Sequence, residues 1–270
     1  MNMQWIRKLL LMSIIWIATN IPVFICAEIS LEPQPTGDRI EQLFSEANRA
    51  YEQADFERAI EGYENILNYK VINPAVYFNL GNSYFKTNSL GKAILYYEKG
   101  FRLSPRDEDI LENLTLARVM TVDRVDHAVP GLIANLLTTF YNSFSLNELA
   151  LISLVAMISV IVFFSLLILT RSPILRRSIW YLTGFGIALL LIFSTTFYVK
   201  YDNYHNQTTA IVISPKLDAY PAPIQTTGDV AFTVHEGKKA RVLQSREDWA
   251  EIELENGWKG WVNQGSLDEI

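Results

Sequence analysis

Two apolar segments constrain the fold of this chain more than any other feature. Residues 149–170 and 178–199 contain no Asp, Glu, Lys or Arg. Each segment is 22 residues long. A helix of that length would rise about 33 Å, enough to cross a hydrocarbon core of roughly 30 Å. We therefore predict two transmembrane helices, over residues 146–170 and 178–199, in a multi-domain membrane protein.

The segment between these helices predicts their orientation. It spans residues 171–177 and contains no acidic residue but three arginines: Arg171, Arg176 and Arg177. A connection this short cannot recross the bilayer, and positively charged loops of membrane proteins stay on the cytoplasmic side. We expect a multi-pass protein of the cytoplasmic membrane, with both flanking regions on its outer, periplasmic face.

The N-terminal residues 1–27 are typical of an export signal. Arg7 and Lys8 precede an apolar stretch, and Ala27 offers a small residue before a cleavage site. Two alternatives stay open, an uncleaved anchor and lipidation of Cys26. All three place the following residues on the outer face. Residues 28–37 contain two prolines and no apolar periodicity, which predicts a linker.

Composition argues against several functions. The net charge of −6 leaves no basic patch for nucleic acid. Cys26 is the only cysteine, so the regions beside the apolar helices cannot be disulfide scaffolds. No phosphate-loop or nucleophile motif is present, and the histidines lack the spacing of metal ligands. We predict no enzymatic activity, no cofactor and no metal site.

An internal repeat of 34 residues appears within residues 38–125. Ala59 and Ala93 are one repeat apart, and so are Tyr63 and Tyr97. The pattern resembles the tetratricopeptide repeat, a helix-turn-helix unit in which small residues let paired helices approach closely. We predict an all-α domain of two repeats, followed by a third helix that caps the open end of the stack.

The resemblance implies a binding groove, because the first helix of each tetratricopeptide unit lines a concave surface. The corresponding positions are Phe44, Asn48, Tyr51, Glu52, Phe78, Asn82, Phe85 and Lys86. Amides between aromatic rings suit an extended peptide, since the amides bind its backbone and the rings bury its side chains. The alternative is that the asparagines are a common feature of the repeat family and that the rings pack against the amphipathic helix of residues 131–145.

Residues 131–145 predict an amphipathic helix. A pair of apolar residues recurs every four positions, whereas the residues between the pairs are polar or small and uncharged. Such a helix suits a membrane surface or packing against the two apolar helices. The alternative is an ordinary packing helix of the repeat domain. Ser145 and Glu148 match a capping box, which predicts the start of the first apolar helix.

Residues 209–270 change from a helical to an alternating apolar pattern. Asn256 and Gly257 predict a tight hairpin, and residues 235–238 predict a second one. Five short strands in about 60 residues predict a small all-β barrel. The order of its motifs resembles a bacterial SH3 domain. Three aromatic residues are candidates for a ligand cleft: Tyr220, Trp249 and Trp258.

The whole order of segments resembles the BatE family of bacterial aerotolerance proteins. That resemblance implies a membrane complex with von Willebrand A-type partner proteins and a role in oxidative-stress tolerance. The predicted function is a membrane-anchored scaffold that presents a repeat domain and an SH3-like domain to protein partners. The alternative is a cell-wall protein whose SH3-like domain binds peptidoglycan. The acidic sequence of residues 209–270 disfavours the carboxylate-bearing wall.

Overall fold

The structure is a computed structural model that describes residues 37–123, 131–205, 208–223 and 230–270. The predicted signal segment 1–27, including Cys26, lies outside these residues, as does the predicted linker except for Gly37. The described residues belong to one compact unit.

Five helices form the N-terminal part of the described chain. They are α1 (Gly37–Glu52), α2 (Phe56–Asn68), α3 (Pro74–Lys86), α4 (Leu90–Leu103) and α5 (Glu108–Met120). Each helix packs on the next one along the chain. The 34-residue periodicity therefore corresponds to successive pairs of helices, α1 with α2 and α3 with α4. We call residues 37–123, which contain these five helices, the repeat part.

Capping and turn residues explain where these helices begin and end. Asn73 Oδ1 accepts a hydrogen bond from the Ala75 N–H at 2.8 Å, and Pro74 occupies the first helical position, where its missing N–H is harmless. The turns after α1 and α3 each contain a residue with a φ of 60°, Ala54 and Asn88. These two residues are 34 positions apart, so both repeats make the same left-handed turn.

Small residues lie where the paired helices approach most closely. A Cβ added to Gly81 would lie 2.7 Å from the ring of Tyr97, closer than side chains pack. Ala59 and Ala93 are fully buried. The predicted role of the small residues in helix packing is therefore confirmed.

Three further helices follow: α6 (Leu132–Asn142), α7 (Leu146–Leu169) and α8 (Pro173–His205). The predicted capping box at the start of α7 is present. The Glu148 N–H donates to Ser145 Oγ at 3.3 Å, and the Ser145 N–H donates to Glu148 Oε2 at 2.9 Å. α7 packs along α8. Both helices are long and apolar enough to span a membrane by length and composition.

The connection between α7 and α8 is shorter than the arginine loop that the sequence predicts. It comprises residues 170–172, because α8 begins at Pro173 and the Arg176 N–H donates to the Ser172 carbonyl at 3.0 Å. Arg176 and Arg177 therefore lie in the first turns of α8, whereas Arg171 lies in the connection. All three side chains are exposed. α8 also continues beyond residue 199, to His205.

The C-terminal end of α6 and the residues that follow it contact α8. The rings of Phe140 and Phe144 lie 5.7 and 5.6 Å from the ring of Phe193 in α8. Lys200 is buried, and its Nζ donates to the carbonyl oxygens of Tyr141 and Phe144 at 3.1 and 2.6 Å. The N-terminal end leaves an exposed apolar face, made of Leu132, Ile133, Leu136 and Leu137.

The C-terminal part is an antiparallel β structure of seven strands. They are β1 (Thr209–Val212), β2 (Lys216–Ala219), β3 (Phe232–His235), β4 (Lys239–Arg246), β5 (Trp249–Glu253), β6 (Lys259–Asn263) and β7 (Leu267–Glu269). Five strands form a sheet in the order β6-β5-β4-β1-β7, and β2 pairs with β3. A bridge between Tyr220 and Trp261 joins the two sheets. Among the described residues the strands do not close into the predicted barrel.

One predicted hairpin is confirmed and the other is wrong. β5 and β6 pair on either side of Gly257, whose φ is 82°. β3 and β4, by contrast, do not pair with each other, since β3 pairs with β2 and β4 pairs with β1 and β5. Gly237 in the intervening turn packs against Ile94 and Thr121 of the repeat part. The turn therefore moves the chain from one sheet to the other.

The sheet packs directly on the repeat part. Ile211 in β1 is fully buried and belongs to the same hydrophobic core as the repeat helices. A Cβ added to Gly91, in the first turn of α4, would lie 2.7 Å from the Val212 carbonyl oxygen. Glycine at this position lets the strand and the helix approach closely.

Candidate functional site

A hydrogen-bonded unit of three polar side chains links consecutive helices of the repeat part. The Asn48 Oδ1 accepts from the Tyr63 hydroxyl at 2.6 Å and from Asn79 Nδ2 at 3.0 Å. Burial raises the pKa of Tyr63 to about 12, so its hydroxyl stays protonated and donates at neutral pH. Asn48 is therefore engaged inside the protein.

The same unit recurs one repeat later and reaches into α5. The Asn82 Oδ1 accepts from the Tyr97 hydroxyl at 2.6 Å and from Asn113 Nδ2 at 2.9 Å. Burial also raises the pKa of Tyr97. Because its oxygen already accepts two hydrogen bonds, Asn82 can offer a ligand only the donors of its amide nitrogen.

A pocket of about 230 Å³ opens beside this second unit, and we call it the groove pocket. Its lining residues are Tyr51, Asn82, Phe85, Lys86, Tyr97, Asn113 and Leu116. They come from α1, α3, α4 and α5, so the pocket depends on the packing of both repeats with the helix that follows. The rings and Leu116 supply apolar surface, whereas the amides and Lys86 supply hydrogen-bonding groups.

The structure brings together about half of the predicted groove residues. Tyr51, Asn82, Phe85 and Lys86 line the groove pocket, and the other four do not. The ring of Phe44 lies 6.0 Å from that of Tyr63, and the ring of Phe78 lies 6.2 Å from that of Tyr97. These two rings pack against the helical core of the repeat part. Asn48 bonds internally, and Glu52 is exposed outside the pocket.

Two pocket residues in α5 were missed from the sequence, Asn113 and Leu116. A signal for Asn113 exists, because it lies 34 residues after Asn79 and makes the equivalent hydrogen bond. α5 therefore repeats the first-helix pattern at this position as well as ending the stack. Leu116 is half exposed, and no sequence pattern singles it out.

The groove pocket suits a ligand that combines hydrogen-bond acceptors with an apolar group. Lys86 is exposed and forms no ion pair with any residue that the structure describes. Its ammonium and the Asn82 amide nitrogen are donors, which match a carboxylate or a peptide carbonyl. The rings of Tyr51 and Phe85 can bury an adjacent side chain.

The three aromatic residues proposed for a cleft on the sheet do not lie together. Tyr220 packs edge-on against Trp249, with 5.8 Å between ring centroids. Trp258 instead lies 5.7 Å from the ring of Phe232 and is 57% exposed. Trp258 lies opposite Leu254, and both residues belong to the buried face of the β5–β6 hairpin. Trp249 belongs to the other face, because successive residues of a strand point to opposite sides. Tyr220 and Trp249 form one site and Trp258 another.

A buried ion cluster connects the sheet with the repeat part. Glu98 in α4 is 4% exposed, and its two oxygens bind Arg118 of α5 and Lys239 of β4, the latter at 3.1 Å. Burial alone would raise the pKa of Glu98. The two cations outweigh this effect and lower the pKa below its ordinary value, so the carboxylate stays charged.

A second polar contact between the two parts involves His235. The Asp123 carboxylate accepts a hydrogen bond from the His235 N–H at 2.6 Å, and its other oxygen lies 3.0 Å from Nδ1. His235 is therefore a contact residue between the repeat part and the sheet. No group of three or more metal-ligating side chains occurs within the described ranges.

Comparison with known proteins identifies the repeat. Residues 74–107 match the family described as tetratricopeptide repeat, and this segment contains α3 and α4. Tetratricopeptide repeats are a non-enzymatic fold that generally mediates protein–protein interactions, and the match suggests an interaction scaffold. No curated protein matches the chain. A solved structure titled "CopN-Scc3 complex" matches at 16% identity over 42% of this chain and 76% of that chain. Its TM-score of 0.26 is too low to indicate a shared fold.

Proposed function

We propose that this protein is a membrane-anchored scaffold whose groove pocket holds a segment of a partner protein outside the cytoplasmic membrane. The observation that carries this proposal is the groove pocket itself, in which two rings and unpaired donors meet inside a tetratricopeptide repeat. Neither the repeat nor the pocket contains the residues of a catalytic site, so binding is the activity that its chemistry suits.

The membrane anchor is proposed to be the α7–α8 hairpin. Large apolar side chains on the outside of both helices are exposed, among them Leu151, Phe164 and Leu191. In water such a surface would be unfavourable, whereas in a bilayer it is covered by lipid. The three exposed arginines at the turn favour a cytoplasmic turn, which would leave the repeat part and the sheet on the outer face.

α6 is proposed to lie in the membrane surface beside the hairpin. Its four exposed leucine and isoleucine side chains share one face, and its other end is fastened to α8 through Phe193 and Lys200. An apolar face that continues from two lipid-covered helices is suited to the boundary between headgroups and acyl chains.

The sheet is proposed to be an SH3-like module in a membrane complex. The resemblance to the BatE family suggests von Willebrand A-type partners and a role in aerotolerance. The cell-wall alternative has less support, because Tyr220 and Trp249 lie apart from Trp258 and the three rings line no common cleft. The acidic character of the module also disfavours binding to peptidoglycan carboxylates.

A charge reversal in the groove pocket tests the proposed function. The full chain would be purified from membranes in detergent as the wild type, as Lys86→Glu and as Lys70→Glu, an exposed lysine outside the pocket. Lys86→Glu should lose the partner that the wild type recovers, because it replaces an attractive charge by a repulsive one. Equal recovery of that partner by the two variants would show that it binds elsewhere.

A further inference from the structure

A second pocket lies where four parts of the molecule meet, and we call it the junction pocket. It has a volume of about 340 Å³. Its lining comes from the repeat part, the start of α7, the end of α8 and the end of the sheet: Ile72, Tyr77, Lys99, Arg102, Leu103, Ser145, Leu146, Asn147, Tyr204 and Ile270. No part of the proposed partner-binding groove is shared with it.

Two cations on one face of α4 reach this pocket. Arg102 is already engaged, since its Nη1 donates to the Ile270 oxygen at 2.6 Å and its guanidinium lies 4.7 Å from the Tyr204 ring. Lys99, one turn earlier, is half buried. Its Nζ lies 5.6 Å from the ring of Tyr96 and has no hydrogen bond or ion pair to the residues that the structure describes.

Lys99 has charged neighbours of both signs, and none of those that the structure describes forms an ion pair with it. Burial lowers the pKa of Lys99, and Arg102 lowers it further, whereas Asp268 and Glu269 raise it. These two carboxylates act from more than 4 Å, because neither forms an ion pair with Lys99 within that distance. Glu148, in the first turn of α7, is paired with Arg106. A half-buried ammonium without a direct partner is stabilised when an anion binds to it.

The start of α7 adds hydrogen-bond donors and an apolar path. The backbone N–H groups of Leu146 and Asn147 belong to the first turn of a 24-residue helix, where no carbonyl of that helix accepts from them. Such groups bind phosphate oxygens well. Beyond Leu146 the outer surface of α7 is apolar and exposed, as at Leu151 and Leu154.

We propose that the junction pocket binds the phosphate group of an anionic phospholipid, whose acyl chains lie along the outer surface of α7. Lys99 supplies the charge, the first turn of α7 supplies donors, and Ile72 and Leu103 cover the apolar part of the headgroup region. A soluble phosphate would use the cation and the donors but not the apolar surface. The inference rests on the proposed membrane placement of α7 and α8, and is independent of the partner bound in the groove.

Native mass spectrometry of the full chain in detergent tests this site. Dioleoyl phosphatidylglycerol, dioleoyl phosphatidylcholine and inorganic phosphate would be titrated separately. The wild type should retain phosphatidylglycerol in preference to the other two. Lys99→Gln should lower that affinity roughly tenfold, because it removes one charge-assisted contact. Asn147→Asp should lower it similarly while favouring the helix, since an acidic residue in the first turn complements the helix dipole.

Lys70→Gln, an exposed lysine outside both pockets, is the control and should bind phosphatidylglycerol like the wild type. Equal retention of phosphatidylglycerol and phosphatidylcholine, or wild-type retention by both junction variants, would overturn the proposal. If inorganic phosphate binds and its binding depends on Lys99, but phosphatidylglycerol is not preferred, the ligand of the pocket is a soluble phosphate and not a lipid. Loss of a protein partner from Lys99→Gln with unchanged lipid binding would assign the pocket to that partner instead. Whether a partner protein binds in the groove pocket is tested separately, by the purification of Lys86→Glu.

Discussion

The carboxylate of Glu236 accepts a hydrogen bond from the backbone N–H of Gly91 at 3.0 Å. A residue of the turn between β3 and β4 thus caps α4, a helix of the repeat part. Ser89, at the N-cap position of α4, makes no side-chain capping hydrogen bond of its own. The repeat helix and the sheet therefore complete each other, although the two residues are 145 positions apart.

Removal of this cap should weaken the whole described unit. Glu236→Ala deletes the acceptor and leaves the Gly91 N–H without a partner, so we expect the free energy of unfolding to fall by about 1 kcal/mol. Urea unfolding of the full chain in detergent measures the change. Glu255→Ala, in the exposed β5–β6 turn, is the matched control and should unfold like the wild type. Equal midpoints for both variants would show that the cap does not stabilise α4.

The ion cluster at Glu98 should make stability depend on pH. The pKa of Glu98 is lower in the folded protein than its unfolded value of about 4.3. Its stabilising contribution is therefore complete above that value and is lost as the pH falls through the lowered pKa. Glu98→Gln should unfold about 2 kcal/mol more easily than the wild type at pH 7.

The difference between the wild type and Glu98→Gln should begin to shrink as the pH falls below the unfolded pKa of about 4.3, and should be lost once the pH passes the lowered pKa of the folded carboxylate. Arg118 and Lys239 are partly exposed, so water compensates some of their lost attraction and the effect stays below that of a fully buried pair. Urea midpoints between pH 3 and pH 8 measure this dependence. A constant difference across that range would rule out the carboxylate charge as its cause.

Residues that recur at the repeat spacing could be predicted from the sequence. Tyr63 and Tyr97 are predicted at equivalent positions and are both buried. Asn79 and Asn113 share the same spacing and make equivalent hydrogen bonds, although neither is among the residues predicted from the sequence. Regular spacing is informative here because each repeat packs on its neighbour in the same way. The hairpin at Gly257 was predictable for a local reason, since its turn needs a residue with positive φ.

Contacts between the repeat part and the sheet could not be predicted in this way. Glu98 and Lys239 are 141 positions apart, and neither belongs to a pattern that distinguishes a buried ion pair from solvated surface charge. The sequence around Gly237 predicts the turn of a hairpin, because nothing in it reveals the packing against Ile94.

Membrane orientation is tested with single cysteines in a chain that carries Cys26→Ser. On intact spheroplasts an impermeant thiol reagent should label Ser245→Cys, in the exposed part of β4, and should leave Ser172→Cys unlabelled. Ser172→Cys should react once the membrane is permeabilised, because three arginines hold the α7–α8 turn on the cytoplasmic side. Labelling of Ser172→Cys from outside would reverse the proposed topology.

Photocrosslinking from the groove pocket in intact membranes tests the central claim most directly. A benzophenone amino acid would replace either Leu116, which lines the pocket and is 50% exposed, or Leu111, which is 45% exposed on the same helix outside it. We expect a discrete protein adduct from position 116 that is absent from position 111 and is lost when Lys86→Glu is added. The same adducts from both positions, or an adduct from 116 that persists with Lys86→Glu, would contradict a partner segment held in the groove pocket.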